Sequence, residues 1–246
     1  MSLRFHEIGE GSHRILNPIN DEQLMLLGEI CQLTPAQRQL DLACGKGEMI
    51  ARWAQRWGIS AVGVDLSHVF TAAARDRISE LGVSDRVTIV QGDAGAYAAE
   101  AHAFDVVSCI GATWIGGGLI GTLNLMRQAA KPDALLLVGE PYWNETPPPE
   151  ACAALGVGPD DFATLIGTLD RFEGAGFELV EMVLATLEGW DRYYAPQWWN
   201  LDAWLRANPD DPEYAEGRKF LDQQRRSHLA YGRRYLNWGI FVLRQR

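Results

Sequence analysis

From residue 38 onward the chain alternates short apolar runs with stretches of helical period. Apolar runs at 40–43, 61–65, 87–91, 104–110, 134–139, 179–187 and 238–243 predict seven strands. Between them, Ile50, Trp53, Ala54 and Trp57 fall at i, i+3, i+4 and i+7 and predict a helix over 48–57. Ser67 is placed to cap a helix with a buried stripe of Phe70, Ala74, Ile78 and Leu81, ended by Gly82. Further helices are expected over Leu119, Leu123 and Met126, and over Phe162, Leu165, Ile166 and Leu169 with Asp160 or Asp161 opening the latter. Upstream, residues 1–19 read as an irregular lead-in. Asn20 then looks like an N-cap with Gln23 at the capping-box position, opening a helix through Leu24, Leu27 and Ile30 that Thr34-Pro35 closes.

Strands alternating with helices predict an α/β fold, a mostly parallel sheet covered by helices on both faces, with ligands bound at the carboxyl ends of the strands. One segment breaks the alternation. About fifty residues separate the sixth and seventh strands, where roughly 2–6 would suffice. This insertion (189–235) is expected to be a helical lid starting over the cleft. Its front is dense in aromatics: Trp190, Tyr193, Tyr194, Trp198, Trp199 and Trp204. They suit either the small core of a cap or an apolar wall or cationic cage around a ligand. The 246 residues, insertion included, read as a single domain, with an N-terminal cap and helix at 1–34 and a ligand-binding core at 38–143.

Charge narrows the function. The formal net charge is -10, the wrong sign for a protein that neutralises a phosphate backbone, so no nucleic-acid partner is expected. Residues 218–246 nevertheless carry eight Arg or Lys against one acid, a basic stretch that either caps the cleft or pairs with the acidic remainder. No signal-peptide pattern or membrane-length apolar run is present, so a cytoplasmic protein without a membrane partner is expected. Cys31, Cys44, Cys109 and Cys152 are dispersed and form no ligand spacing with the histidines. Reduced thiols and no metal are expected.

The segment Asp41-Leu42-Ala43-Cys44-Gly45-Lys46-Gly47-Glu48 joins a strand end to a helix start. Gly45 and Gly47 let the backbone approach a ligand closely. Asp65 ends the second strand, where a carboxylate can accept both ribose hydroxyls, and Asp93, before Ala94, ends the third, where it can accept from an adenine amine. Three acids at adjacent strand ends suggest a nucleoside site. A pyrophosphate favours a full glycine pattern without nearby acids, whereas here the third glycine is absent and Asp41 and Glu48 flank the loop. The acids suit a cationic group instead, such as the ammonium and sulfonium of S-adenosylmethionine. A nicotinamide-dependent oxidoreductase, and a cofactor-binding protein without turnover, are the alternatives.

These residues resemble the class I S-adenosylmethionine-dependent methyltransferases. The resemblance implies a Rossmann-like sheet in the order 3-2-1-4-5-7-6 and S-adenosyl-L-homocysteine as product. It also implies that Asp41, Ala43, Cys44, Gly45 and Gly47 form the loop beside the methionine moiety. Asp65 would hold the ribose, Leu66 and Asp93-Ala94 would flank the adenosine, and Ile110 would stand at the backbone edge facing the amino acid. Ala43 replaces the family's commoner Gly. Four further segments, His13-Arg14-Ile15-Leu16-Asn17-Pro18, Gly111-Ala112-Thr113-Trp114-Ile115, Gly139-Glu140-Pro141-Tyr142-Trp143 and Glu188-Gly189-Trp190-Asp191-Arg192-Tyr193, are similar to the bacterial YjhP-type methyltransferases. A small-molecule acceptor is expected. Glu140 and Tyr142, read as just past the fifth strand, and His13 in the lead-in are the candidates for touching it, each set against a plainer role as a capping carboxylate, a packed aromatic and a solvent-facing imidazole respectively; Glu140 is favoured among them because a strand's carboxyl end faces the cleft.

Overall fold

The computed structural model describes residues 3–246. Seven strands, β1 (Arg38–Leu42), β2 (Ser60–Asp65), β3 (Val87–Gln91), β4 (Phe104–Ile110), β5 (Ala130–Trp143), β6 (Phe177–Leu184) and β7 (Leu236–Gln245), form one sheet. Its order is β3-β2-β1-β4-β5-β7-β6. β1 pairs in parallel with β2 and β4, β2 with β3, and β4 with β5, while β7 runs antiparallel to β6. The order and the reversed strand agree with the class I expectation. The helices are α1 (Leu3–Gly9), α2 (Asp21–Ile30), α3 (Glu48–Trp57), α4 (His68–Glu80), α5 (Leu119–Ala129), α6 (Pro149–Leu155), α7 (Leu165–Gly174), α8 (Leu187–Ala207) and α9 (Tyr214–Ser227), followed by a π-turn and a short last turn, Arg233–Tyr235.

The chain forms two compact units. One comprises Asn20–Glu140, Leu169–Leu184 and Gly239–Arg246; the other takes in the N-terminal segment up to Ile19, Pro141–Thr168 and Ala185–Trp238. In the first, the sheet unit, α2 begins with the expected capping box: Gln23 N–H donates to Asn20 Oδ1 at 2.8 Å and Asn20 N–H to Gln23 Oε1 at 3.1 Å. α2 packs on α3 through Gly28. A Cβ there would lie 2.3 Å from the Trp57 ring and 3.2 Å from Trp53 Nε1. Trp53 is fully buried, and its Nε1–H donates to the Leu24 carbonyl at 3.1 Å. Gly28→Ala is therefore expected to destabilise the fold by about 1–3 kcal/mol through overpacking, read as a lower urea midpoint at unchanged m. An unchanged midpoint would show that the two helices slide apart freely.

The second, helical unit builds its core where Phe5 of α1 meets Leu201, Leu205 and Leu221 of α8 and α9. The lead-in, expected to be irregular, is therefore partly helical. Seven residues are too few to hold a helix alone, so the α1 helix exists through the contact that Phe5 makes far along the chain. The Pro147-Pro148-Pro149 stretch also starts a helix. Pro149 is its first residue, where a missing N–H costs nothing.

Some boundaries differ from expectation for local reasons. α7 begins at Leu165 because Asp161 accepts from Gly158 N–H in a turn, while Ala163 accepts from Trp143 N–H as an extended partner. β6 stops at Leu184 because Thr186 caps α8, accepting from Gly189 N–H at 2.9 Å. β5 runs on to Trp143, so Glu140 and Tyr142 lie inside the strand rather than beyond it.

Half of the eight cations of the basic stretch pair with nearby acids. Arg218 meets Asp202 at 3.0 Å, Arg234 meets Glu145 at 2.5 Å, and Arg233 donates to Asp191. In the sheet unit Arg246 meets Glu173 at 2.8 Å. No helix among the described residues is long and apolar enough to cross a membrane.

Candidate active site

The loop between β1 and α3 is built from left-handed backbone. Ala43, Gly45 and Gly47 have φ of 59°, 55° and 66°. Glycine adopts this region freely, whereas Ala43 costs on the order of 1 kcal/mol there. The strain persists because the surrounding hydrogen bonds over-determine the turn. Cys44 N–H donates to the Val64 carbonyl at 3.0 Å and Gly47 N–H to the Cys44 carbonyl at 2.9 Å. Asp65, at the end of β2, accepts from Gly45 N–H at 2.8 Å through Oδ2 and from Ser67 N–H at 2.9 Å through Oδ1. One carboxylate thus locks the glycine loop to the start of α4, and the two sequence-predicted residues twenty apart meet.

Asp41 is buried, with 3% of its surface exposed, and accepts from the Ser108 hydroxyl at 2.7 Å. Ser108 in turn accepts from Gln39 Nε2 at 3.0 Å. Desolvation pushes the Asp41 carboxyl up to about 7, against the opposing pull of the Ser108 hydrogen bond, with the Asp65 charge adding to the rise. Burial also drives the Cys44 thiol far up, so it is an inert packing group, not a nucleophile. Leu66, the residue after Asp65, is 64% exposed, an apolar surface at the strand end. Asp93 caps the 3-10 turn Ala94–Ala96, accepting from Gly95 N–H at 2.8 Å, and Ala94 is buried. Ile110 is the last residue of β4.

Glu48 requires a correction. It does not add negative charge to the loop, because Arg77 grips it through two bonds of 2.7 and 2.9 Å. The argument against a phosphate then rests on Asp41 and Asp65.

The three acceptor-side candidates fall in different units. Glu140 belongs to the sheet unit, is 3% exposed and accepts from the Thr113 hydroxyl at 2.7 Å. Desolvation pushes its carboxyl up to about 7, partly countered by Thr113 and by the Arg171 charge. Tyr142 and His13 belong to the helical unit. Tyr142 is buried, which raises its phenol pKa. His13 does not face solvent. Its Nδ1 lies 3.0 Å from the fully buried Glu10 carboxylate and its Nε2 3.3 Å from the Arg192 carbonyl.

Comparison with known proteins meets this geometry. A methyltransferase domain model matches residues 40–133, the stretch from β1 through the residues that open β5. The uncharacterized protein YjhP of Escherichia coli K12 is 45% identical over 242 residues, covering 98% of this chain and 97% of that one. A structure of a SAM-dependent methyltransferase from Geobacter sulfurreducens in complex with S-adenosyl-L-homocysteine is 44% identical. It superposes with a TM-score of 0.94, covering 99% of this chain and 98% of that one. The chain belongs to the S-adenosylmethionine-dependent methyltransferase family. A corresponding Thiobacillus denitrificans methyltransferase, also in complex with S-adenosyl-L-homocysteine, is 40% identical with the same coverage and a TM-score of 0.94.

Some residues of this methyltransferase site escaped the sequence. Gln39 and Ser108 were absorbed into apolar strands, although a polar side chain inside a doubly covered parallel strand is itself a signal, since it must find a buried partner. Thr113, which holds Glu140, had no such signal. Gly63 also shapes the site: a Cβ on it would meet Ile50 at 2.6 Å and Cys44 Sγ at 2.8 Å, so it lets the loop settle on β2.

Proposed function

We propose that this methyltransferase uses S-adenosylmethionine to methylate a small-molecule acceptor. The observation that carries the cofactor assignment is the Asp65 carboxylate, pinned by Gly45 and Ser67 N–H at a strand end beside the exposed Leu66. An acidic cradle with an apolar flank fits ribose hydroxyls, a flat base and a cation, and suits a pyrophosphate poorly. In this reading Asp65 accepts the ribose hydroxyls, Leu66 and Asp93-Ala94 flank the adenine, and the Ile110 backbone edge meets the amino acid. The strained turn at Ala43, Cys44, Gly45 and Gly47 lies against the methionine moiety, and Asp41, steadied by Ser108, faces its positive charge. When bound, the sulfonium supplies an activated methyl group with a good leaving group. The protein's own task is then to hold the acceptor in line and exclude water. Near neutrality the Glu140 carboxyl carries a proton for much of the time, so it can donate as well as accept toward an acceptor.

The small-molecule acceptor is supported by the net charge of -10, the wrong sign for gripping a nucleic acid, and by the pairing of half of the basic stretch with local acids. The four free cysteines suit a reducing compartment, and we place the enzyme in the cytoplasm. The test is release of S-adenosylhomocysteine on addition of cell extract fractionated into small metabolites, proteins and nucleic acids. Release is expected from the metabolite fraction, and release from the nucleic-acid fraction alone would overturn the reading.

Proton linkage gives a second test. A cation beside Asp41 favours its ionised form, so binding releases a proton wherever free Asp41 is protonated. S-adenosylmethionine affinity is expected to rise with pH, by up to about tenfold per unit below pH 7, and then level off. Asp41→Asn should flatten the profile in isothermal titration. A wild-type affinity already flat between pH 5.5 and 7 would remove Asp41 from the cation's neighbourhood.

A further inference from the structure

Strands β1 and β4 pair in the middle of the parallel part of the sheet, where apolar side chains are the rule. Three positions break it. Gln39 and Asp41 are two residues apart in β1 and so share one face, and the register sets Ser108 of β4 beside Asp41. All three are buried, and Gln39 and Ser108 have no exposed surface. Gln39 Nε2 donates to Ser108 Oγ at 3.0 Å, and that hydroxyl donates to Asp41 Oδ1 at 2.7 Å, so the three form one hydrogen-bonded chain within the sheet unit.

Gln39 is a costly residue for folding. Its Oε1 is buried and finds no donor among the described residues, whereas a Met or Leu side chain would fill the site without an orphaned acceptor. What the amide supplies is an N–H toward Ser108. A hydroxyl has one hydrogen and two lone pairs. With one lone pair taken by Gln39, the Ser108 hydrogen has two acceptors in reach, Asp41 Oδ1 at 2.7 Å and the Leu40 carbonyl at 3.3 Å. An ionised Asp41 takes that hydrogen. A protonated Asp41 donates its own to the second lone pair, and the Ser108 hydrogen turns to Leu40. Among the described residues the titratable groups facing Asp41 are Asp65 at the end of β2, Cys44 in the turn and Cys109 of β4. Burial drives both thiols up, so they stay neutral, and the Asp65 charge works against ionisation of Asp41. The Ser108 hydrogen is what opposes it.

We propose that Gln39 and Ser108 are positioning residues for the cofactor's cation: Gln39, acting through the Ser108 hydroxyl, holds the Asp41 carboxylate in the form and orientation that receives it. The inference rests on the S-adenosylmethionine reading and deepens it with two residues that act only through Asp41. An N–H donated to Ser108 Oγ polarises the hydroxyl and strengthens its bond to the carboxylate. Removing the Gln39 amide therefore weakens the support of ionised Asp41, and the free protein holds its proton to higher pH. Cofactor binding must then expel that proton to solvent, which lowers affinity at pH values below the titration and leaves it little changed above.

The test reads Asp41 directly, by carbon-13 NMR of the aspartate carboxyls in ligand-free protein, with its signal identified by loss in Asp41→Asn. Gln39→Met should raise the Asp41 midpoint by about half to one pH unit, and Ser108→Ala by at least about one. Adding Gln39→Met to Ser108→Ala should move it by less than about 0.2, because the amide reaches Asp41 only through the hydroxyl. In isothermal titration Gln39→Met should bind S-adenosylmethionine about three- to tenfold more weakly than wild type at pH 6 and within about twofold of it at pH 8.5. A residue that merely filled space would weaken binding alike at both pH values and leave the carboxyl where it was. If Gln39→Met does not fold by circular dichroism, Gln39→Leu replaces it. An Asp41 midpoint unmoved by the Gln39 variant, additive shifts in the double variant, or an equal affinity loss at both pH values each overturns the proposal. If wild type still binds more tightly as pH rises, the role of Asp41 then stands without Gln39. If wild type fails to bind S-adenosylmethionine at all, the cofactor reading falls, and the proposal with it.

Discussion

Asp65→Ala is expected to weaken S-adenosylmethionine binding at least about hundredfold, close to 3 kcal/mol. The size follows from what one carboxylate does. In the proposed site it would accept two ribose hydroxyls, and charge-assisted hydrogen bonds contribute about 1.5–3 kcal/mol each. It also accepts from Gly45 and Ser67 N–H, so truncation releases the glycine loop as well as the ligand. Asp65→Asn separates the two effects. Its amide oxygen can keep one backbone donor, but its NH₂ opposes the other, so its affinity should fall between those of wild type and Asp65→Ala. Isothermal titration reads both variants. An Asp65→Ala affinity within threefold of wild type would refute the ribose assignment.

Glu140 controls a pH window of stability. An ordinary glutamate ionises near 4.5, whereas Glu140 in the folded chain is pushed up to about 7. Between those values the folded state holds a proton that the unfolded state has lost, so unfolding releases it and stability falls as pH rises. The effect of Glu140 is fully favourable below about 4.5, declines through the window and is exhausted above about 7, for a total on the order of 3 kcal/mol. Asp41, pushed to a similar value from 3.8, acts in the same direction. Glu140→Gln stays neutral and can still accept from the Thr113 hydroxyl. Urea unfolding should therefore find the variant more stable than wild type at pH 8 and near parity at pH 5. An equal difference at both pH values would mean that Glu140 is ionised throughout and held by a partner stronger than Thr113.

Local patterns were the readable part of this chain. The helix over Glu48–Trp57 and the strands Val87–Gln91 and Phe104–Ile110 stand where their periodicities put them. The Asn20 and Ser67 caps were legible because a cap is a contact three residues long. So was the placing of Asp65 and the glycine turn at neighbouring strand ends, since a parallel sheet sets such ends side by side, whereas the bond from Gly45 N–H to Asp65 was not. What depended on distant partners was not legible. α1 forms on Phe5 packing against Leu201, Leu205 and Leu221, nearly two hundred residues away. The start of α7 was displaced by the extended pairing of Ala163 with Trp143.

By itself, the sequence determined the α/β order, the glycine turn, the strand-end acids and the excess negative charge, because each is a property of neighbours in the chain or of composition. Only the tertiary structure decided the protonation tendencies of Asp41 and Glu140, the silencing of Glu48 by Arg77 and the setting of His13 against the buried Glu10. It alone also joined Gln39, Ser108 and Asp41 into one hydrogen-bonded chain. The reason is physical. Desolvation and pairing depend on what surrounds a side chain in space, and a carboxylate written in the sequence carries no record of whether water or an arginine will stand next to it.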